Sequence, residues 1–206
     1  MSKPALTTVI LAGGKSRRLG TNKALVEVGG RAILQRVAER VQPVSVETLL
    51  VVNTEEEVSL YGKVGAWRTV VDAFPDGGAL GGVYTGVQAA KTDHSLVVGC
   101  DMPFLNHDLL AYIVEGSERY DVVIPRLDDV LEPLHAIYAT TCLTPMRTLL
   151  LAHDRQIIKF LPQVKVRYVE QNEVERFDPR LLSFFNVNTR EDLARAERLA
   201  AEGDGQ

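Results

Sequence analysis

Thr8-Val9-Ile10-Leu11-Ala12-Gly13-Gly14-Lys15-Ser16-Arg17-Arg18-Leu19-Gly20-Thr21-Asn22-Lys23 is the stretch on which the reading of this chain turns. It opens with a short apolar run whose β-branched Thr8, Val9 and Ile10 suit a strand buried on both faces. The run ends in Gly13-Gly14, and Gly13 to Gly20, glycine-rich and basic, reads as a loop. Gly13 and Gly14 let backbone N–H groups come close to a phosphate. Arg17 adds a guanidinium that can fork two phosphate oxygens, and Lys23 adds a point charge. The spacing is neither the P-loop G-x-x-x-x-G-K-[ST] nor the dinucleotide fingerprint G-x-G-x-x-G. A plain surface loop with scattered basic residues is the alternative. A strand, two glycines and the cations Lys15, Arg17, Arg18 and Lys23 in one short stretch favour phosphate binding.

Outward from this loop, apolar runs and helical periods alternate. Ile33, Leu34, Val37, Ala38 and Val41 recur at the spacing of one helix face within Ala32 to Val41, and Pro43 stops it. Glu47 to Asn53 reads as a second buried strand, Glu55 to Tyr61 as a short helix and Thr69 to Asp72 as a third strand. Ala73 to Gly82 reads as a glycine-rich loop and Val83 to Ala90 as a helix. Ser95 to Gly99 is a fourth strand. A helix capped by Asn106 or Asp108 then runs to about Gly116. Asp121 to Pro125 is a fifth strand, cut by its proline. Leu134 to Ala139 looks like one arm of an antiparallel excursion, two helices fit between Thr144 and Phe160, and Val164 to Val169 alternates as a late strand. Thr189, with Asp192 three residues on, signals a capping box at the start of a terminal helix. Strands alternating with helices imply an α/β fold with a mostly parallel sheet covered on both sides, whose ligands bind at the C-terminal strand ends. Residues 1–206 read as one domain with a frayed, disordered tail from Glu202 to Gln206.

Composition narrows the function classes. With 206 residues, 46% hydrophobic and 24% charged, the chain is an ordinary globular sequence. Its net charge of -4 argues against broad nucleic-acid binding, which shows a basic surplus. Cys100 and Cys142 lack metal spacing; they read as reduced thiols of a cytoplasmic protein, with one disulfide as the alternative. The apolar run Val9 to Ala12 is far too short for a signal peptide or a membrane span.

Two further segments carry chemistry. Asp101 follows the hydrophobic Val97-Val98-Gly99-Cys100, so it stands at the C-terminal edge of the sheet, the edge where the basic loop begins. Its carboxylate is a natural Mg²⁺ ligand between protein and phosphate; capping of the next helix is the alternative. Asp72 to Gly82 carries Gly77, Gly78, Gly81 and Gly82, which let a backbone lie flat against a base or phosphate, or simply make a flexible connection.

Together these segments resemble the molybdenum cofactor guanylyltransferase family, within the wider glycosyltransferase-A-like nucleotidyltransferases. The opening matches L-A-G-G-x-S-x-R-x-G-x-x-K, shared across that superfamily. Val51-Val52-Asn53, Gly78-Ala79-Leu80-Gly81-Gly82-Val83 (similar to the family's G-P-L-A-G-I) and Phe184-Phe185-Asn186-Val187-Asn188-Thr189 (similar to F-x-N-x-N-T) match the guanylyl branch. Ala79 and Arg190 depart from it, each standing where proline is usual. Glu132-Pro133-Leu134-His135-Ala136-Ile137-Tyr138 resembles the acceptor-side segment; an ordinary strand with one histidine is the alternative.

The resemblance implies a three-layer, Rossmann-like fold and transfer of GMP from GTP to the terminal phosphate of molybdopterin, or molybdenum cofactor, with release of pyrophosphate. It implies that Leu11, Ala12, Gly13, Gly14, Lys23, Asn53, Asp72, Gly78, Leu80 and Asp101 bind the nucleotide. Arg17, Lys23 and Asp101 would be catalytic, with Asp101 holding Mg²⁺. Asn186, Asn188 and His135 would lie on the acceptor side, and molybdoenzymes or their chaperones would be partners. A cytidylyl- or sugar-nucleotidyltransferase would use the same loop, and a non-catalytic nucleotide-binding adaptor could share the fold. Nucleotide preference separates the first, and loss of nucleotide binding the second.

Overall fold

The computed structural model describes residues 6–12 and 23–203. Gly13, Gly14 and Arg17, with the rest of the expected basic loop, lie outside the described residues, as do residues 204–206 of the expected tail.

In chain order the elements are β1 (Thr7–Leu11), β2 (Glu27–Val28), β3 (Arg31–Ala32), α1 (Ile33–Val41), β4 (Glu47–Val52), α2 (Glu55–Tyr61), β5 (Arg68–Val71), α3 (Gly78–Ala89) and β6 (His94–Gly99). There follow α4 (His107–Val114), β7 (Val122–Leu127), β8 (Val130–Leu131), β9 (His135–Ala139), α5 (Leu143–Leu151), β10 (Val166–Glu170), α6 (Gln171–Val174) and α7 (Arg190–Ala201). The main sheet runs β10-β7-β9-β6-β1-β4-β5, with β8 hung on β7; β2 and β3 form a separate hairpin. β1 pairs in parallel with both β4 and β6, β4 with β5, and β7 with β10. Only β9 in the body of the sheet runs the other way, antiparallel to β6 and β7. The mostly parallel sheet implied by alternating strands and helices is therefore present, and Leu134 to Ala139 holds the antiparallel excursion.

Both faces of the sheet are covered, which is why its strands read as continuous apolar runs. Side chains alternate between two cores. Val9, Leu49, Val51 and Val97 face α3 and α5, where Val83, Val87 and Met146 meet them. Ile10, Leu50, Val52, Leu96 and Val98 face the other layer, with Ile33, Leu34 and Val37 of α1, Leu110 and Ile113 of α4, and Leu199 of α7. Four of the five periodic residues of α1, Ile33, Leu34, Val37 and Val41, are its buried ones, with Ala38 partly covered, and Pro43 enters a 3-10 turn at Gln42–Val44 that ends the helix. Asn106 caps α4 by accepting from Leu109 N–H at 2.9 Å. Thr189 and Asp192 form the expected reciprocal box, with Asp192 N to Thr189 Oγ1 at 3.1 Å and Thr189 N to Asp192 Oδ2 at 2.8 Å. Among the described residues no helix is long and apolar enough to cross a membrane.

Three expectations need correction. The glycine-rich loop from Ala73 to Gly82 ends early, because α3 begins at Gly78. Its glycines serve close packing: a Cβ on Gly86 would stand 2.3 Å from Val9 Cγ1, and one on Gly81 would stand 2.4 Å from the Phe74 carbonyl oxygen. Pro125 does not cut its strand, which runs on to Leu127. The β9 ladder has already ended at Val123, and the Pro125 carbonyl accepts from Glu132 N–H on that opened side. The proline nitrogen faces the same side, so it costs no bond to β9 or β10. Of the two helices expected between Thr144 and Phe160, the second is a 3-10 segment, Ile157–Gln163, that contains Pro162.

The contact between α3 and β1 yields a direct prediction. Gly86→Ala would gain helix propensity, yet its methyl would drive into the stiff, fully buried Val9 side chain. A net loss of about 1–2 kcal/mol is expected from a urea unfolding midpoint. Adding Val9→Ala should recover part of it.

Candidate active site

The register of the sheet lines up four strand ends. Leu11 stands opposite Val51 on one side and Gly99 on the other, and Val52 stands opposite Val71. The ladder continues one step further, with Ala12 N to Val51 O at 2.9 Å, Cys100 N to Leu11 O at 3.1 Å and Asp72 N to Val52 O at 2.7 Å. The polar residues that follow the strands, Asn53, Asp72 and Asp101, therefore share one edge, the edge at which open parallel sheets bind their ligands. At this edge the described residues line a cleft of about 210 Å³. Gly78, Ala79 and Gly82 bring the first turn of α3 to the cleft, and with it the free N–H groups of a helix start. Gly78 has φ +62°, a left-handed conformation that favours glycine at this corner.

Three residues far apart in sequence converge on one side of the cleft. Lys23, in a 3-10 turn over Lys23–Leu25, donates from Nζ to Asn188 Oδ1 in a short hydrogen bond, and the same Nζ lies 3.7 Å from Asp101 Oδ2. Asn188 is held by its own N–H to Asp192 Oδ2 at 3.0 Å, and Val187 N–H donates to the Asp101 carbonyl at 2.9 Å. The Asn-Val-Asn segment is thus bolted to the Asp101 loop. Burial pushes the Asp101 carboxyl above its ordinary range, and the Lys23 ammonium opposes that rise without cancelling it. A carboxylate so placed gains from further positive charge. Cys100, beside it, is a neutral thiol: burial, with the Asp101 charge adding to it, pushes the group up to about 12.

On the other side, Asp72 is buried at 9% exposure, and its Oδ1 accepts from Phe74 N–H at 2.9 Å and Thr85 Oγ1 at 2.8 Å. Asn53 lines the cleft, with its backbone N–H held by Glu57 Oε2 at 2.8 Å. Neither Glu57 nor Thr85 stood out in the sequence. Glu57 had a readable signal, because Thr54-Glu55-Glu56-Glu57 has capping-box spacing, and Thr54 Oγ1 accepts from Glu57 N–H at 3.3 Å. The carboxylate reaches one residue further back than that motif implies.

Of the expected site residues, Leu11, Ala12, Lys23, Asn53, Asp72, Gly78 and Asp101 line the cleft. Gly13, Gly14 and Arg17 fall outside the described residues. The Leu80 side chain is fully buried in the core beneath α3, and its neighbours Ala79 and Gly82 line the cleft instead. Of the acceptor-side residues, Asn188 reaches the site through Lys23, whereas Asn186 Nδ2 donates locally to the Phe184 carbonyl at 3.1 Å. His135 is fully buried behind Leu134, its ring 4.7 Å from that of Phe184.

His135 has a separate consequence. Among the described residues neither ring nitrogen makes a well-formed hydrogen bond, and burial lowers the group from 6.5 to about 4, although the Asp178 carboxylate and the nearby Ser183 backbone pull it back up. Between those values the unfolded chain binds the proton that the folded chain refuses, so stability falls as the pH drops from about 6.5 towards 4. Wild-type protein should lose about 2 kcal/mol more than His135→Phe between pH 7 and pH 5, read from urea midpoints. Equal losses would show that the ring has access to a partner.

Residues 8–167 match the MobA-like NTP transferase domain. A probable molybdenum cofactor guanylyltransferase of Pelotomaculum thermopropionicum is 40% identical over 94% of this chain and 93% of its own length. A molybdenum cofactor guanylyltransferase of Desulfosudis oleivorans is 34% identical over 97% of this chain and 98% of its own. Among solved structures, molybdopterin-guanine dinucleotide biosynthesis protein A of Archaeoglobus fulgidus superposes with a TM-score of 0.85 at 28% identity, covering 96% of this chain and all of that one. The 2-C-methyl-D-erythritol 4-phosphate cytidylyltransferase of Thermus thermophilus shares the fold, with a TM-score of 0.67 at 19% identity over 96% of this chain and 99% of its own. On the extent of the domain match and the identity to these relatives, the chain belongs to the MobA-like family of nucleotidyltransferases.

Proposed function

We propose that this protein transfers GMP from GTP to the terminal phosphate of molybdopterin or molybdenum cofactor, releasing pyrophosphate. The convergence of Lys23, Asp101 and Asn188 at the end of β6, facing the first turn of α3, is the observation that carries this reading. The relatives named molybdenum cofactor guanylyltransferases support the choice of substrates.

An oxygen of the acceptor phosphate would form a bond to the α-phosphorus of GTP while the bond from that phosphorus to the bridging oxygen breaks. Pyrophosphate carries away the electron pair. The acceptor oxygen is anionic near neutral pH, so the site needs no general base. It has to hold the two phosphates in line and neutralise charge. Lys23 sits where it can screen the triphosphate, and the basic loop, Arg17 included, would add to that charge. Backbone N–H groups at Gly13 and Gly14 and the helix start at Gly78 would bind phosphate oxygens, and Leu11 and Ala12, whose strand end lines the cleft, would bed the nucleotide. Asn53 and Asp72 would hold the nucleoside end, and Asn188 would present the acceptor side.

The donor set fits Mg²⁺. Among the described residues no cluster of three acidic, histidine or cysteine side chains gathers to hold a metal. Mg²⁺ does not require one, because it commonly takes one or two carboxylates and completes its shell with water and substrate phosphates. Asp101, a carboxylate whose burial favours an added positive charge, would hold it, and the ion would supply neutralisation of the triphosphate. Cys100 and Cys142 are both free and buried, which supports a place in the reducing cytoplasm, where molybdoenzymes or their chaperones would receive the product.

Two variants test the proposal in a turnover assay that follows pyrophosphate release with GTP, Mg²⁺ and molybdopterin. Asp101→Asn should abolish turnover. Its thermal midpoint should not fall below that of wild type, because the neutral amide removes a desolvated charge. Near wild-type turnover would show that Asp101 does not carry the metal. Lys23→Ala should slow turnover by about two to three orders of magnitude, the scale for losing one electrostatic stabiliser; an unchanged rate would place Lys23 outside the site.

A further inference from the structure

We infer that Thr85, a buried hydroxyl on α3, is a positioning residue that sets the affinity of the cleft for its nucleotide by fixing the carboxylate of Asp72. The inference rests on the reading of Asp72 as a nucleotide contact and adds the residue through which that contact is controlled.

The hydrogen bonds around Thr85 leave it one orientation. Its Oγ1 accepts from Ala73 N–H at 3.0 Å and lies 2.8 Å from Asp72 Oδ1. A carboxylate oxygen has no proton to give, so the hydroxyl proton must point at Oδ1. Phe74 N–H, at 2.9 Å, takes the same oxygen. Both bonds fall on Oδ1 and tether the carboxylate of a residue that lines the cleft, while neither of them occupies Oδ2. The carboxylate packs close to α3: a Cβ on Gly81 would stand 3.2 Å from Oδ2. Thr85 is 6% exposed and Asp72 9%, so water has little access to replace the hydroxyl. Thr85 does not itself line the cleft. Its effect on a ligand must pass through Asp72.

A purely structural hydroxyl would contribute to folding without moving nucleotide affinity. Calorimetric titration with GTP and Mg²⁺ separates the two. Thr85→Val keeps the shape and removes the hydroxyl. It should weaken GTP binding about tenfold, the effect of losing one hydrogen bond to a charged group. Thr85→Ser keeps the hydroxyl and should bind within about twofold of wild type. On an Asp72→Asn background, Thr85→Val should add no further loss. If Thr85→Val does not fold, Thr85→Ala removes the same hydroxyl with less bulk and carries the same expectation. Wild-type GTP affinity in both hydroxyl-less variants, alongside weakened binding in Asp72→Asn, overturns the inference but leaves Asp72 as a contact. A full tenfold loss that persists on the Asp72→Asn background also overturns it, because Thr85 would then act by another route. Unchanged affinity in Asp72→Asn alone removes the nucleotide reading of Asp72, and the inference with it.

Discussion

The parallel pairing of β1 with β4 on one side and β6 on the other is the constraint from which the site follows. Once Leu11 lies opposite Val51 and Gly99, the residues one or two steps further along each chain must appear together at one edge of the sheet. No side-chain interaction is needed to gather Ala12, Asn53 and Asp101; the register does it. The register in turn depends on burial of both faces. A slip of one residue would exchange Val9 with Ile10, and every paired residue, between two packed cores. The same packing brings the start of α3 to the cleft, because Gly86 and Gly82 let the helix lie directly on the Val9 and Leu11 side chains of β1.

A second set of bonds closes the side of the cleft next to Asn188. The stretch between α6 and α7 has little regular structure of its own, yet it is held at several points to the loop after β6. Val187 N–H reaches the Asp101 carbonyl, Asn106 N–H donates to Ser183 Oγ at 2.9 Å, and Asn106 Nδ2 donates to the Phe177 carbonyl at 3.0 Å. Asp178 holds the turn itself by accepting from Leu182 N–H at 3.0 Å and Ser183 N–H at 2.7 Å. Asn106 therefore has two duties: it caps α4 and also fastens the segment that carries Asn188. Position in the site is set by buried hydrogen bonds on one side and by sheet register on the other.

Much of this was legible from residue pattern because the physics is local. Apolar β-branched runs became the parallel strands, and Asp101 stood past its strand as expected. The Thr189–Asp192 box formed because its partners are three residues apart. What the sequence did not disclose depends on distant neighbours. Gly78 to Gly82 look like loop residues by composition, and only the left-handed φ at Gly78, Phe74 against Gly81 and Leu11 of β1 against Gly82 show why glycines begin this helix. Pro125 looks like a strand end until the opened side next to it is known. Leu80 sits in a motif whose backbone lines the cleft, yet helical phase turns its side chain into the core. His135 and Asn186 were grouped with Asn188 on resemblance, but one is buried under Phe184 and the other bonds within its own turn. Thr85 carries no motif at all, and its meaning appears only when α3 is seated beside the end of β5.

The central claim is that this sheet edge binds guanosine triphosphate with Mg²⁺. Calorimetric titration of the intact protein with GTP, CTP, UTP and ATP, each with Mg²⁺ and again with the metal chelated, tests it most directly. The account predicts selective binding of GTP that weakens when the metal is removed. Preference for CTP or UTP, or no binding of any nucleotide, would contradict it.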